Sequence, residues 1–328
     1  MTTKETAANP SRDPSGQASP AGLWTKGTPA PIERSEVAVA AIDGKGYVVG
    51  DIRGAEDMLV YDIAGDSWTR VPAPQAIHHP TAASWGGKLY VFGGFVGMSP
   101  ARAQTVAWVY DPATGRWDDL PPLPTARAAG VAVALDGRIH VISGATDILI
   151  DVPSGTRNPA EDAVLTGTNT GAHEVFDIAL GRWESRAPLP TPRDHTSAGA
   201  IDGKIVVAGG RFALDPRVNV DLVDIYDPAT DSWTYGARMP TPRSASAFAV
   251  LNGALYTFGG ETRFSLHDEA ESYDLATNRW RRHSSLPEGR HGFGAVEHGG
   301  RLYTLVGSTV PFRSGGEAAA LIFSPDPA

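Results

Sequence analysis

Five arginines stand nine residues ahead of a recurrent two-residue turn: Arg34, Arg127, Arg193, Arg243 and Arg290, with Ile77 at the sixth equivalent place. A guanidinium grips a carboxylate or phosphate through paired donors, so a convergent ring of them suits an anionic ligand. The competing reading is that each arginine binds loop carbonyls or an acidic neighbour. The next two positions carry titratable groups in some units only: Glu36, His78 and His79, Asp194 and His195, and His291. Histidine and carboxylate together can supply a general acid and base near neutral pH. Glu36, His79, His195 and His291 are therefore the candidate catalytic residues, set against a reading in which each is a solvated loop residue.

These residues must be positioned by a repeated element. Six tryptophans, Trp24, Trp68, Trp117, Trp183, Trp233 and Trp280, fall 44 to 66 residues apart. A strand-rich period near fifty predicts a propeller rather than a helical solenoid. Each unit reads as four strands. The first is small and apolar, as in VAVAAI (Val37–Ile42) and TSAGAI (Thr196–Ile201), which fits an innermost strand where space tapers. Turns such as Asp43-Gly44, Asp202-Gly203 and Asn252-Gly253 supply the positive φ of tight hairpins. The second strand ends in Gly-Gly in three units (KLYVFGG, KIVVAGG, ALYTFGG) and keeps part of that ending in the others (VVGD, VISG, RLYTLVG). The third carries Tyr-Asp or Phe-Asp in five units, and the fourth holds the repeat tryptophan. Trp85 and Trp108 lie off that position and are expected to pack between units.

Gly-Gly, Tyr-Asp and Trp recurring in register make the chain resemble the kelch repeat family from about Trp24 to Ser324. The resemblance implies an all-β, six-bladed kelch-type β-propeller with four antiparallel strands per blade. The repeat begins at an outermost strand and stops after a third one, so the N-terminal strand is expected to complete the last blade and remove open edges.

Strand parity sends the loop between strands two and three to the same face as the loop entering the next blade. The arginines therefore share a channel mouth with Arg211, Phe95, Phe212 and Phe264, and with Met98, Phe312 and Arg313. Together they would bind an anionic ligand with an apolar body, unless each phenylalanine pins its own loop. With six-fold geometry blade one faces blade four, placing Glu36 opposite His195. A long insertion in blade three, about 145–172, opens with the apolar DILIDV and is expected to be a lid or disordered.

Net charge is −9 and no global basic field would attract nucleic acid. With no cysteine there are no disulfides, thiolate metal sites or cysteine nucleophiles. No metal spacing such as HExxH is present, and His78-His79, being adjacent, would point oppositely on a strand. Residues 1–22 read as a disordered tail without a signal-peptide core, residues 23–328 as the propeller, and the protein as soluble and cytoplasmic, with no membrane partner. The expected ligand is a small anionic, partly apolar molecule, converted without a cofactor by isomerisation, epimerisation, cyclisation or elimination. The alternative is a protein-interaction module that binds an acidic peptide on the same face.

Overall fold

The structure, a computed structural model, describes residues 21–98, 101–151, 164–213, 215–311 and 318–325. Among these residues, strands form six four-stranded antiparallel sheets and three two-stranded ribbons. Blade one runs Ala38–Ile42, Lys45–Val49, Ala55–Asp62 and Ser67–Ile77, in spatial order one to four. Blades two to five repeat that order, and the ribbons rise from the loops between strands two and three of blades two, three and four. No helix among the described residues is long and apolar enough to cross a membrane.

The last blade closes as expected. Leu23–Gly27 pairs antiparallel with Ala320–Ser324, setting Trp24 opposite Phe323. Of the tail expected over residues 1–22, only Ala21 and Gly22 lie among the described residues, and Ala21 bridges His283.

The core lies between blades rather than within them. Ala40, Tyr47 and Met58 of blade one pack against Leu89, Val91, Trp108 and Tyr110 of blade two, and similar clusters fill the other interfaces. Each repeat tryptophan also ties its blade to the one before. The indole N–H groups of Trp24, Trp68, Trp183, Trp233 and Trp280 each donate at 2.8 Å, to Ser284, Thr28, Pro121, Ala187 and Ala237 carbonyls. Trp117 does the same to Pro72 at 2.9 Å. The aromatic body is buried against apolar surface while its one donor finds an acceptor. Trp108 packs between blades, as its position implied; Trp85 does not, and stands exposed at its hairpin.

Gly-Gly is the device that sets up the channel mouth. The N–H of its second glycine donates to the backbone carbonyl of the next blade's entry arginine: Gly94 to Arg127 and Gly210 to Arg243 at 2.9 Å, Gly260 to Arg290 at 2.8 Å. A side chain on Gly93 would put Cβ 2.2 Å from the Arg127 carbonyl oxygen, so the crossing chain allows no side chain there.

Candidate functional site

The second residue after each entry arginine turns into the left-handed region: Glu36, His79, Ala129, His195, Ala245 and Gly292 have φ between 54° and 61°. That conformation aims the N–H and C=O of the six residues along the circumference of the channel, and they bond head to tail. Glu36 donates to Gly292 (2.7 Å), His79 to Glu36 (2.9 Å), Ala129 to His79 (2.8 Å), His195 to Ala129 (2.8 Å), Ala245 to His195 (3.2 Å) and Gly292 to Ala245 (3.0 Å). The result is a closed ring of six peptide hydrogen bonds around the axis. Left-handed conformations are costly for residues other than glycine and persist where the surroundings over-determine them; here the ring does so.

Three ring members have titratable side chains, and these meet. Glu36 Oε2 lies 3.1 Å from His79 Nε2 and 3.5 Å from His195 Nε2, while Oε1 lies 3.2 Å from His291 Nδ1. Blade one does face blade four, as six-fold geometry requires. The residues between arginine and ring pair with those following Gly-Gly, which brings further groups inward: Asp194 bridges Arg211, Ser244 bridges Glu261 and His78 bridges Phe95. Arg211 then contacts Asp194 (3.3 Å), Glu261 (2.6 Å) and His195 Nε2 (3.2 Å). Asp194 accepts from His195 Nδ1 at 2.6 Å. A cavity of about 70 Å³ adjoins the ring, lined by Glu36, His79, His195, Thr196 and Ser246 among others, several times the room one water needs.

Burial pushes the Glu36 carboxyl up, but the charge of His79 and hydrogen bonds with His195 and His291 outweigh it and hold the group well below the usual range. Burial lowers His79. His78 is pushed down to about 4, by burial and then by His79. Burial opposes protonation of His291, yet Glu261 and Glu36 raise it to about 9. His195 is also raised: burial and Arg211 work against its charge, and the bonds to Asp194 and Glu36 prevail. The Glu36 carboxylate therefore sits among three imidazoles, with His195 and His291 favouring the protonated form and His79 the neutral one, the pairing that acid–base chemistry uses.

The entry arginines are elsewhere, and this corrects the expected anion ring. Each turns away from the channel into its own blade, buried. Arg34 pairs with Asp51 (3.3 Å) and Asp57 (2.5 Å). Arg127 pairs with Glu174, Arg193 with Asp224 at 2.7 Å, and Arg243 with Glu271 at 2.6 Å. Arg193 also donates to the Gly209 and Thr191 carbonyls at 2.7 and 3.0 Å, and Arg290 lies buried near the Val306 carbonyl. A guanidinium buried at this depth requires its own carboxylate and carbonyl partners. The acid was legible: it stands two residues before Tyr or Phe in HEVFD, VDIYD and AESYD.

Two other expectations are corrected. His78 and His79 do not point oppositely, because His79 is in the left-handed region rather than on a strand, and their Nδ1 atoms stand 2.6 Å apart. Phe95 is fully buried against Ala101, Ala128, Ala145 and Ile148, and pins its loop instead of facing a ligand. Phe212 is partly buried and Phe264 is 65% exposed. Phe312 and Arg313 lie outside the described residues, as does the middle of the blade-three insertion. The described start of that insertion leans on blade two: Ile148 bridges Ala101, and Asp147 takes a 2.7 Å ion pair from Arg102.

Comparison with known proteins agrees with the kelch resemblance and the fold. The family described as KLHDC2/KLHL20/DRC7 Kelch-repeats domain matches residues 81–307. Kelch-like protein terF of Aspergillus terreus is 30% identical over 52% of this chain and 34% of its own length. Kelch-like protein 40 of Mus musculus is 31% identical over 52% of this chain and 25% of its own. The chain thus matches about a third or less of the length of these relatives. The solved structure of YjhT superposes with a TM-score of 0.75 at 17% identity, over 91% of this chain and 97% of that one, a likeness of fold. The chain belongs to the kelch-repeat family of β-propellers.

Proposed function

We propose that this propeller is a protein-interaction module, engaging a peptide segment with apolar side chains on the face that carries the loops between strands two and three. The observation that supports it is an apolar rim. Met98, Val218, Phe264 and Val310 stand exposed on those loops of blades two, four, five and six, and Ile32 on the entry to blade one. Large apolar side chains around one face of a rigid scaffold, with arginines among them, are what peptide-binding surfaces present. Arg53, Arg102 and Arg217 share the face, each paired with an acid. The five entry arginines lie inside the blades, so the recognition proposed is apolar rather than anionic.

A displayed random-peptide library, panned on wild type and counter-selected on a Met98→Asp, Phe264→Asp double variant, tests the reading. Peptides binding wild type at least tenfold better are the expected outcome; enrichment equal on both proteins would overturn it.

The axial cavity supports a second reading, in which Glu36, His79 and His195, with His291 behind Glu36, move protons on a small molecule. Its support is the convergence of those side chains from four blades. Thermal-shift screening of small metabolites against wild type and Glu36→Gln tests it, and equal shifts in both would remove it.

A further inference from the structure

We infer that Glu36, His79 and His195 form a binding site for one divalent first-row metal ion of the zinc type, on the propeller axis. The inference stands apart from the rim reading and gives the side chains of the second reading a different role, as metal ligands. It starts from which atoms face one another. His78 Nε2 lies 2.8 Å from the Gly97 carbonyl oxygen, an atom that only accepts, so that nitrogen carries the His78 proton. His78 Nδ1 is then a lone pair, and the 2.6 Å contact to His79 Nδ1 makes His79 the donor. His79 Nε2 is left bare. On the other side of the channel, His195 Nδ1 donates to Asp194 at 2.6 Å, so the only proton a metal would have to displace is the one His195 Nε2 shares with Glu36. Without it, that nitrogen is a lone pair, with Arg211 Nη2 3.2 Å away as a donor.

With that proton displaced, two imidazole lone pairs converge on one oxygen of a carboxylate, 3.1 and 3.5 Å away. Acceptors pointed at one another repel unless a cation or a proton sits among them. Ligands held about 2.0–2.1 Å from a tetrahedral zinc lie about 3.3–3.4 Å apart, so the spacing already present is that of a coordination shell. The three ligating atoms all lie within 4.8 Å of one another.

Each ligand is also held through the atom that would not touch the metal. Asp194 fixes His195, His78 fixes His79, and His291 lies 3.2 Å from the free oxygen of Glu36. Partners of this kind set the tautomer and aim of metal ligands. Two histidines and one carboxylate leave a fourth position open, and the adjoining cavity supplies it, lined also by Thr196 and Ser246. The metal would take the place of the Arg211 contact on His195, while that guanidinium keeps Asp194 and Glu261.

Titrating the chelator-treated full chain with Co²⁺ should give visible absorption bands that saturate at one equivalent and disappear on adding Zn²⁺. His79→Ala, His195→Ala and Glu36→Gln should each weaken binding at least 100-fold. Asp194→Asn, a positioning change, should weaken it about 10–100-fold. Since these variants can fail to fold, wild type carries a second readout: on adding Zn²⁺, the ring ¹⁵N resonances of His79 and His195 should move at Nε2, and those of His140 and His173 should not. Absence of saturable binding, binding that survives all three ligand substitutions, or zinc shifts confined to other histidines would each overturn the inference. None of these results would change peptide binding at the rim.

Discussion

Ile77 and Trp108 occupy in blade two the two places that an arginine and a carboxylate occupy in blades three, four and five. Both are buried and belong to one apolar cluster. Arg127 with Glu174, Arg193 with Asp224 and Arg243 with Glu271 are the polar versions of the same contact. In blades two to five the two places are either both charged or both apolar. Blades one and six instead set Arg34 and Arg290 against Leu59 and Leu321, and Arg34 takes its acids from Asp51 and Asp57. A buried arginine keeps a carboxylate where no other acid is at hand.

That pairing predicts a rescue. Arg193→Ala should lose about 3–5 kcal/mol, since Asp224 stays buried without its counter-charge. Adding Asp224→Leu should recover part of the loss, because the orphaned charge goes. Urea unfolding of the two variants measures it, and a double variant no more stable than the single one would refute the account.

Stability should fall with acid through a second histidine pair. His140 and His173 are buried at the interface of blades three and four, with His140 Nδ1 2.9 Å from His173 Nε2. Burial pushes them down to about 3 and about 4. An unfolded histidine takes its proton near pH 6.5, so the unfolded chain binds more protons below that point. The pair's contribution is complete above about pH 6.5 and declines toward pH 4, by up to about 1.4 kcal/mol per pH unit for each histidine. His140→Leu should flatten the dependence of urea midpoints on pH between 4.5 and 7; unchanged slopes would count against the pair.

Gly292 makes room for Glu36. A Cβ there would lie 2.9 Å from both the backbone nitrogen and Oε1 of Glu36. Ala129 and Ala245 hold alanine at nearly the same φ in the same ring, so backbone conformation alone does not forbid the change. Gly292→Ala should therefore destabilise by about 1–3 kcal/mol, chiefly by overpacking against Glu36. A thermal melt identical to wild type would show that the carboxylate needs no such space.

Closure of the last blade depends on Trp24, which packs on Phe258 and Phe323 at 5.3 and 4.9 Å and bonds Ser284. Trp24→Ala should destabilise by about 2–4 kcal/mol. Deleting residues 1–27 should expose Ala320–Ser324 as an open edge and shift the protein to concentration-dependent association in light scattering. A truncated chain that stays monomeric with an unaltered melt would remove the closing strand from the stability account.

The blades were legible because each turn and strand has its own chemistry: Asp202-Gly203 for a tight hairpin, small residues Ser197–Ile201 for the taper, Trp233 for the outer strand. Parity correctly assigned the loops to one face. It did not say which way a side chain turns from its loop, so Arg193 was expected at the mouth although its partner Asp224 was visible in VDIYD. The axial ring was hidden for another reason. Left-handed backbone is announced by glycine, and at five of its six places the ring carries Glu, His or Ala instead. Only the neighbouring blades impose that conformation, and they do so through the peptide hydrogen bonds of the ring itself.

A ring of peptide bonds has no first or last member. The link from Glu36 to Gly292, which joins the two ends of the sequence, is of the same kind as the five that join consecutive blades. Blade order along the polypeptide is thus immaterial to the axis. Circular permutants cut at any outer turn should reassemble it, because each link is made between neighbouring blades in the same way wherever the chain starts.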